Sequence, residues 1–191
     1  NDLRVREQVR AMQHDPDGDE AYHSRIITLA ALFLAGVTVL LVAAATWVMS
    51  LYLNSCFDGA GLETQRASVI AFAQYCLPQV FFYGMFVLVG QILNSRGRFG
   101  PMMWAPIANN VISVAVLVAY LLIYGSTSPG EQYSGFTGGQ ELLLGLGATA
   151  GIVVQLLILV PYLKKAGFTY RPRFDFRGTG LAHTLRLGIW T

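Results

Sequence analysis

The chain predicts an all-α integral membrane protein, a polytopic helical bundle, and three observations lead there. Four apolar stretches, 26–53, 69–93, 102–124 and 142–163, contain no Lys, Arg, Asp or Glu. Each is long enough to cross a bilayer, because ~20 helical residues rising ~1.5 Å apiece cover ~30 Å of hydrocarbon. The basic residues sort by alternate connections: Arg4, Arg6, Arg10 and Arg25 precede the first stretch, and Arg96 and Arg98 separate the second from the third. Lys164, Lys165, Arg171, Arg173, Arg177 and Arg186 follow the fourth, which leaves only Arg66 for the other two connections. Such a bias predicts that segments 1–25, 94–101 and 164–180 face the cytoplasm, and that 54–68 and 125–141 face outward. Composition agrees, with 54% hydrophobic and 13% charged residues, the latter about half the share of a soluble domain.

Segment 1–25 opens with Leu3, Val5, Val9 and Met12 near one helical face, an amphipathic helix lying on the membrane surface. His14 to Glu20 then reads as an acidic turn. Asp15, Asp17 and Asp19 resemble the start of a calcium loop, but Glu20 stands where that loop needs Gly and Ile26 where it needs Glu. Stretch 26–53 is the first span. The second, 69–93, carries Pro78 about ten residues in, which removes a helix hydrogen bond and predicts a kink. Connection 94–101 is a tight turn, and Pro101 and Pro106 lie near the start of the third span, where Pro is best tolerated. The fourth span holds Gly147 and Gly151, a small-xxx-small pair suited to close helix contact. Aromatic and basic residues alternate through 164–180, as rings at headgroup level and cations on phosphates would require. An apolar run resumes after Arg186, so 181–191 predicts the start of a further span and the chain reads as an interior piece of a longer protein.

Polar side chains inside the spans are the candidate functional groups. Gln79, Tyr83, Gln91 and Asn94 lie on the second span, Asn109 and Asn110 on the third and Gln155 mid-way along the fourth. A buried amide needs partners, so each should face another helix or a wet cavity rather than lipid. Two readings stay open: interhelical hydrogen bonds, or the lining of a polar substrate path between helices. Arg96 and Arg98 are candidates for contact with a headgroup or a pyrophosphate. No catalytic constellation stands out: His183 has no nucleophile or carboxylate beside it, and the histidines show no metal-ligand spacing. No Gly-rich phosphate loop is present, and the basic residues flank membrane spans rather than forming a nucleic-acid face. Cys56 and Cys76 are expected as free thiols. A transporter is therefore expected rather than an enzyme, with no cofactor in this stretch.

Three motifs carry a resemblance across essentially the whole chain. Pro78-Gln79-Val80-Phe81-Phe82-Tyr83-Gly84 is followed by Gln91-Ile92-Leu93-Asn94-Ser95-Arg96-Gly97-Arg98-Phe99-Gly100-Pro101, and then by Trp104-Ala105-Pro106-Ile107-Ala108-Asn109-Asn110. This pattern resembles the MurJ/MviN family of bacterial lipid II flippases, within the multidrug/oligosaccharidyl-lipid/polysaccharide exporter superfamily, and its flavour is similar to actinobacterial members. The resemblance implies a fragment of a two-lobed alternating-access transporter, covering about its third to sixth helices and the start of the seventh. It implies a bacterial cytoplasmic (inner) membrane location and movement of undecaprenyl-pyrophosphate-linked peptidoglycan precursor for cell-wall synthesis. Lipid II, membrane lipids and cell-wall synthesis or division proteins are the implied partners, with no nucleic acid, and coupling to an ion or to the membrane potential stays open. The family's charged cavity residues fall on helices outside this stretch, so none is carried over. A cation-coupled exporter of the same superfamily and a non-transporting membrane scaffold remain alternatives.

Overall fold

The computed structural model describes residues 16–53, 62–126 and 135–174, with side chains from His23 onward. The surface helix expected in 1–12, His14, Cys56, most of both outer connections and the span expected from 181 lie outside the described residues. Among the described residues there are six helices: α1 (Pro16–Ala43), α2 (Ala45–Tyr52), α3 (Glu63–Cys76), α4 (Gln79–Ser95), α5 (Gly100–Tyr124) and α6 (Gly138–Lys165). Among the described residues four helical stretches are long and apolar enough to cross a membrane: His23–Ala43, Glu63–Ser95, Gly100–Tyr124 and Gly138–Lys165. The protein is a multi-pass, all-helical membrane protein.

Helix ends differ from the apolar runs for local reasons. α1 begins at Pro16, ten residues before the first apolar run, so the stretch read as an acidic turn opens a helix instead. Glu63 to Ser68 adds a polar helical turn and a half ahead of the second run. That makes α3 plus α4 a 33-residue path, which at ~1.5 Å per residue exceeds a ~30 Å hydrocarbon core and has to break or tilt. The break falls at Leu77–Pro78. Pro78 has no N–H to offer the Gln74 carbonyl, and the chain crosses on shorter bonds, Val80 N–H to Leu77 O (3.0 Å) and Phe81 N–H to Pro78 O (3.2 Å). Pro106 and Pro161, by contrast, lie inside α5 and α6 without ending them. The interruption at Ala44, between α1 and α2, involves neither Pro nor Gly, and the local sequence offers no account of it.

α6 is the central helix: it packs against α5, α4 and α3, while α1 packs on α4 and α2 on α3. Glycines set the close approaches. A methyl added at Gly147 would fall 2.6 Å from Val116 of α5, and one at Gly151 would overlap the Asn109 side-chain oxygen. The pair thus lets α5 and α6 meet nearly backbone to backbone, where dispersion rather than the hydrophobic effect holds helices together in lipid. On α6's other side, Gly145 lies under Tyr75 of α3.

The two ends of the bundle differ. One gathers the start of α1, the α4–α5 turn and the end of α6, where Ile27, Phe86, Leu93, Leu159, Leu163 and Phe168 form the densest core. At the other, Ser68 of α3 accepts from Phe136 N–H at 3.0 Å, and Gln140 of α6 donates to the Tyr120 hydroxyl at 3.2 Å. Charge follows this division. Among residues with described side chains, Arg25, Arg96, Arg98, Lys164, Lys165, Arg171 and Arg173 belong to the first end, whereas Glu63, Arg66 and Glu141 belong to the second.

Candidate functional site

At the helix break, Thr149 of α6 donates to the Tyr75 carbonyl at 2.7 Å and accepts from the Gln79 amide at 3.3 Å. The interruption frees carbonyls in α3 that a continuous helix would have used, and a hydroxyl from the neighbouring helix takes up one of them. Beside this junction runs an open groove of about 670 Å³, lined by Met49 of α2, Phe72 and Cys76 of α3, and Gln79, Val80 and Tyr83 of α4. Cys76 is a free thiol.

The polar candidates separate into two groups. Tyr83 and Gln91 are exposed and, with Val87 between them, form one i, i+4, i+8 stripe along α4. Gly90 and Asn94 turn the other way: Gly90 lies against Met102, and the Asn94 amide donates to the Met102 sulfur at 3.4 Å across the α4–α5 turn. Asn109 abuts Gly151 within the α5–α6 contact, and its carbonyl accepts from Ser113 at 2.9 Å. Gln155 is 3% exposed on α6, and Asn110 is exposed on α5 beside Ile107 and Val111. Gln79 thus bonds across to α6, Asn94 and Asn109 lie against neighbouring helices and Gln155 is buried, while Tyr83, Gln91 and Asn110 are exposed. Of these, Gln79 and Tyr83 line the groove.

Both helices that finish at the basic end stop in the same way. Gly97 at φ 72° and Gly167 at φ 78° occupy the left-handed position after α4 and α6. Gly97 N–H meets Asn94 O (3.0 Å) and Arg98 N–H meets Leu93 O (2.9 Å); Gly167 N–H meets Lys164 O (3.0 Å) and Phe168 N–H meets Leu163 O (3.2 Å). These are paired Schellman caps, each needing a residue that tolerates positive φ. Arg96, on the first cap, donates through Nη1 to Ala166 O on the second at 3.1 Å, and its guanidinium lies 5.2 Å above the Phe168 ring. Arg98, two residues on, is exposed. On the α5–α6 face, Trp104 meets Tyr162 edge-on at 5.9 Å and Lys165 lies 5.7 Å over the Tyr162 ring, the aromatic–cation mixture of a headgroup boundary. Among the described residues no cluster of His, Cys, Asp or Glu could hold a metal ion.

Reading the amides alone missed Thr28, Thr149 and Tyr170, whose hydroxyls make contacts between segments. Hydroxyls in apolar helices usually bond back to the preceding turn, so sequence gives them little signal.

The family described as "Lipid II flippase MurJ" matches residues 7–191. A probable lipid II flippase MurJ of Vibrio cholerae is 28% identical over 164 residues, which cover 86% of this chain and 28% of that protein. The namesake in Haemophilus influenzae is 27% identical over 112 residues, covering 59% of this chain and 19% of its own length. The chain therefore spans between about a fifth and three-tenths of these curated relatives. No solved structure matches it. With a match that runs through all four membrane-capable helices, the chain belongs to the MurJ lipid II flippase family.

Proposed function

We propose that this chain supplies four membrane helices to a flippase that carries lipid II, the undecaprenyl-pyrophosphate-linked peptidoglycan precursor, across the bacterial cytoplasmic membrane. The family match over residues 7–191 carries this reading. A pyrophosphate with a sugar-peptide head cannot cross hydrocarbon unaided, since each buried charge costs several kcal/mol or more (~3 kcal/mol even on lenient scales). A protein that moves it must offer a polar route alternately open to each side. Tyr83 and Gln91, exposed along one stripe of α4, are the groups here best placed to line such a route. As uncharged donors and acceptors they could pass a headgroup along without holding it tightly. The basic end faces the cytoplasm, where Arg98, Lys164, Lys165, Arg171 and Arg173 anchor the unit among anionic headgroups and attract the arriving pyrophosphate.

Reconstituting the full-length flippase that contains this chain into vesicles with fluorescent lipid II tests the reading. Protein-dependent movement of the head between leaflets is expected, with a several-fold slowing in the Tyr83→Ala, Gln91→Ala double variant. An anchor needs only positive charge, whereas bidentate phosphate recognition needs the guanidinium fork. Arg98→Lys should therefore keep the wild-type rate. No lipid II movement above protein-free vesicles would remove the reading.

A further inference from the structure

The segment after α6 crosses the basic end of the bundle instead of leaving it. Residues 166–173 start at the α6 cap, pass the end of α4 and finish on α1. Phe168 is only 1% exposed, set under the Arg96 guanidinium and met edge-on by the His23 ring of α1 at 6.3 Å. Further along, the Tyr170 hydroxyl lies 3.0 Å from Thr28 Oγ1, and Arg173 N–H donates to that same oxygen at 3.3 Å. Thr28 spends its one proton on the Ser24 carbonyl, 2.7 Å away. Tyr170 must therefore be the donor to Thr28, and the buried hydroxyl is used in full, one bond given and two received.

α1 packs on α4 and α4 on α6, so this strap spans all three. Arg96 is the side chain that joins its beginning to α4, by the bond to Ala166 O and the stack on Phe168. Nη1 of this guanidinium is spent on a helix-cap carbonyl and its face covers a buried ring. A bidentate grip on a phosphate through Nη1 would cost the bond to Ala166 O.

We propose that Arg96 is a positioning residue: it clasps the strap 166–173 across the ends of α6, α4 and α1, holding them as one unit during transport, and does not itself contact the transported anion. Only the transport arm of the test rests on the flippase reading. The strap itself is read out by amide hydrogen exchange, which needs no substrate.

The test uses the full-length flippase that contains this chain, in nanodiscs for exchange and in vesicles for translocation, comparing wild type, Arg96→Gln, Arg96→Lys and Tyr170→Phe. Loss of a charge-assisted bond should speed exchange at 167–173 by about tenfold in Arg96→Gln. Exchange in the first turns of α6, at the far end, should stay as in wild type. Arg96→Lys can still donate to Ala166 O and should restore part of the protection. Tyr170→Phe removes only a peripheral hydroxyl, and should loosen 169–173 even if Arg96→Gln fails to fold. Affinity for lipid II should be unchanged in Arg96→Gln while its translocation slows. Three results would overturn the proposal: unchanged strap exchange in the folded variants, faster exchange throughout the bundle, or weakened lipid II binding with the strap still protected. Vesicles that show no lipid II movement even with wild-type protein would count against the flippase reading and leave the exchange result standing.

Discussion

Gly145 and Gly36 show how much the environment of a single residue decides. A methyl added at Gly145 would fall 2.6 Å from Tyr75 Cβ, an atom next to the α3 backbone that cannot swing aside, whereas one at Gly36 would meet nothing within 4 Å. Gly145→Ala should destabilise the protein by about 1–3 kcal/mol through overpacking. Gly36→Ala should be neutral or stabilise slightly, by up to about 1 kcal/mol, because Ala favours helix over Gly. Denaturant titration of the two purified variants checks the difference, and equal effects would mean that α3 and α6 do not pack as described. At this scale only part of the packing is legible in the sequence. Gly147 and Gly151 could be read as a contact pair from their spacing, but the partners Val116 and Asn109 could not, since spacing does not name the facing helix. α4 also shows the limit: by spacing Gln79, Tyr83, Gly90 and Asn94 fall within one stripe with Gln91 off it, yet Met102 covers Gly90 and Asn94, while Tyr83 is exposed together with Gln91.

At the scale of the element, the break between α3 and α4 is chemical in origin. Pro78 announces it in the sequence, because no other residue type removes the N–H that Gln74 O would have used. Restoring that donor with Pro78→Ala should let α3 and α4 join, and amide exchange at residues 79–81 should slow measurably. Global stability should shift by no more than about 1 kcal/mol, since Pro78 now sits at a helix start where it is well tolerated. The groove lined by Cys76 and Tyr83 would change shape, which a thiol reagent on Cys76 would register as an altered rate. Unchanged exchange at 79–81 would place the cause of the break in the Thr149 contact instead. Other boundaries were less readable. Glu63 to Arg66 is helical though polar, and Pro16 starts α1 within a run of acidic residues, because helix ends answer to caps and dipoles as well as to hydrophobicity.

At the scale of the molecule, segments far apart in the chain meet because their charge and their caps belong at the same end. His23 and Thr28, the Arg96–Arg98 turn and the strap from Ala166 come together although more than 140 residues separate the first from the last of their bonded groups. The alternation of basic connections made this readable in the sequence, as an antiparallel order of spans with common ends. That α6 would sit at the centre was not readable, because packing order depends on which faces fit. We predict that the basic end is cytoplasmic. Single cysteines placed at Ser95 and Ser128, in a background lacking Cys56 and Cys76, test it with an impermeant thiol reagent. Ser128→Cys should react in intact spheroplasts and Ser95→Cys only after permeabilisation; the reverse pattern would invert the orientation.

Movement of lipid II between leaflets is the activity we propose for the whole protein, on the strength of the family match. Depleting it in cells while measuring lipid II in each leaflet tests this most directly. The prediction is that lipid II accumulates in the inner leaflet and falls in the outer one before growth stops. An unchanged outer pool, with efflux of small molecules altered in its place, would contradict a flippase and point to an exporter.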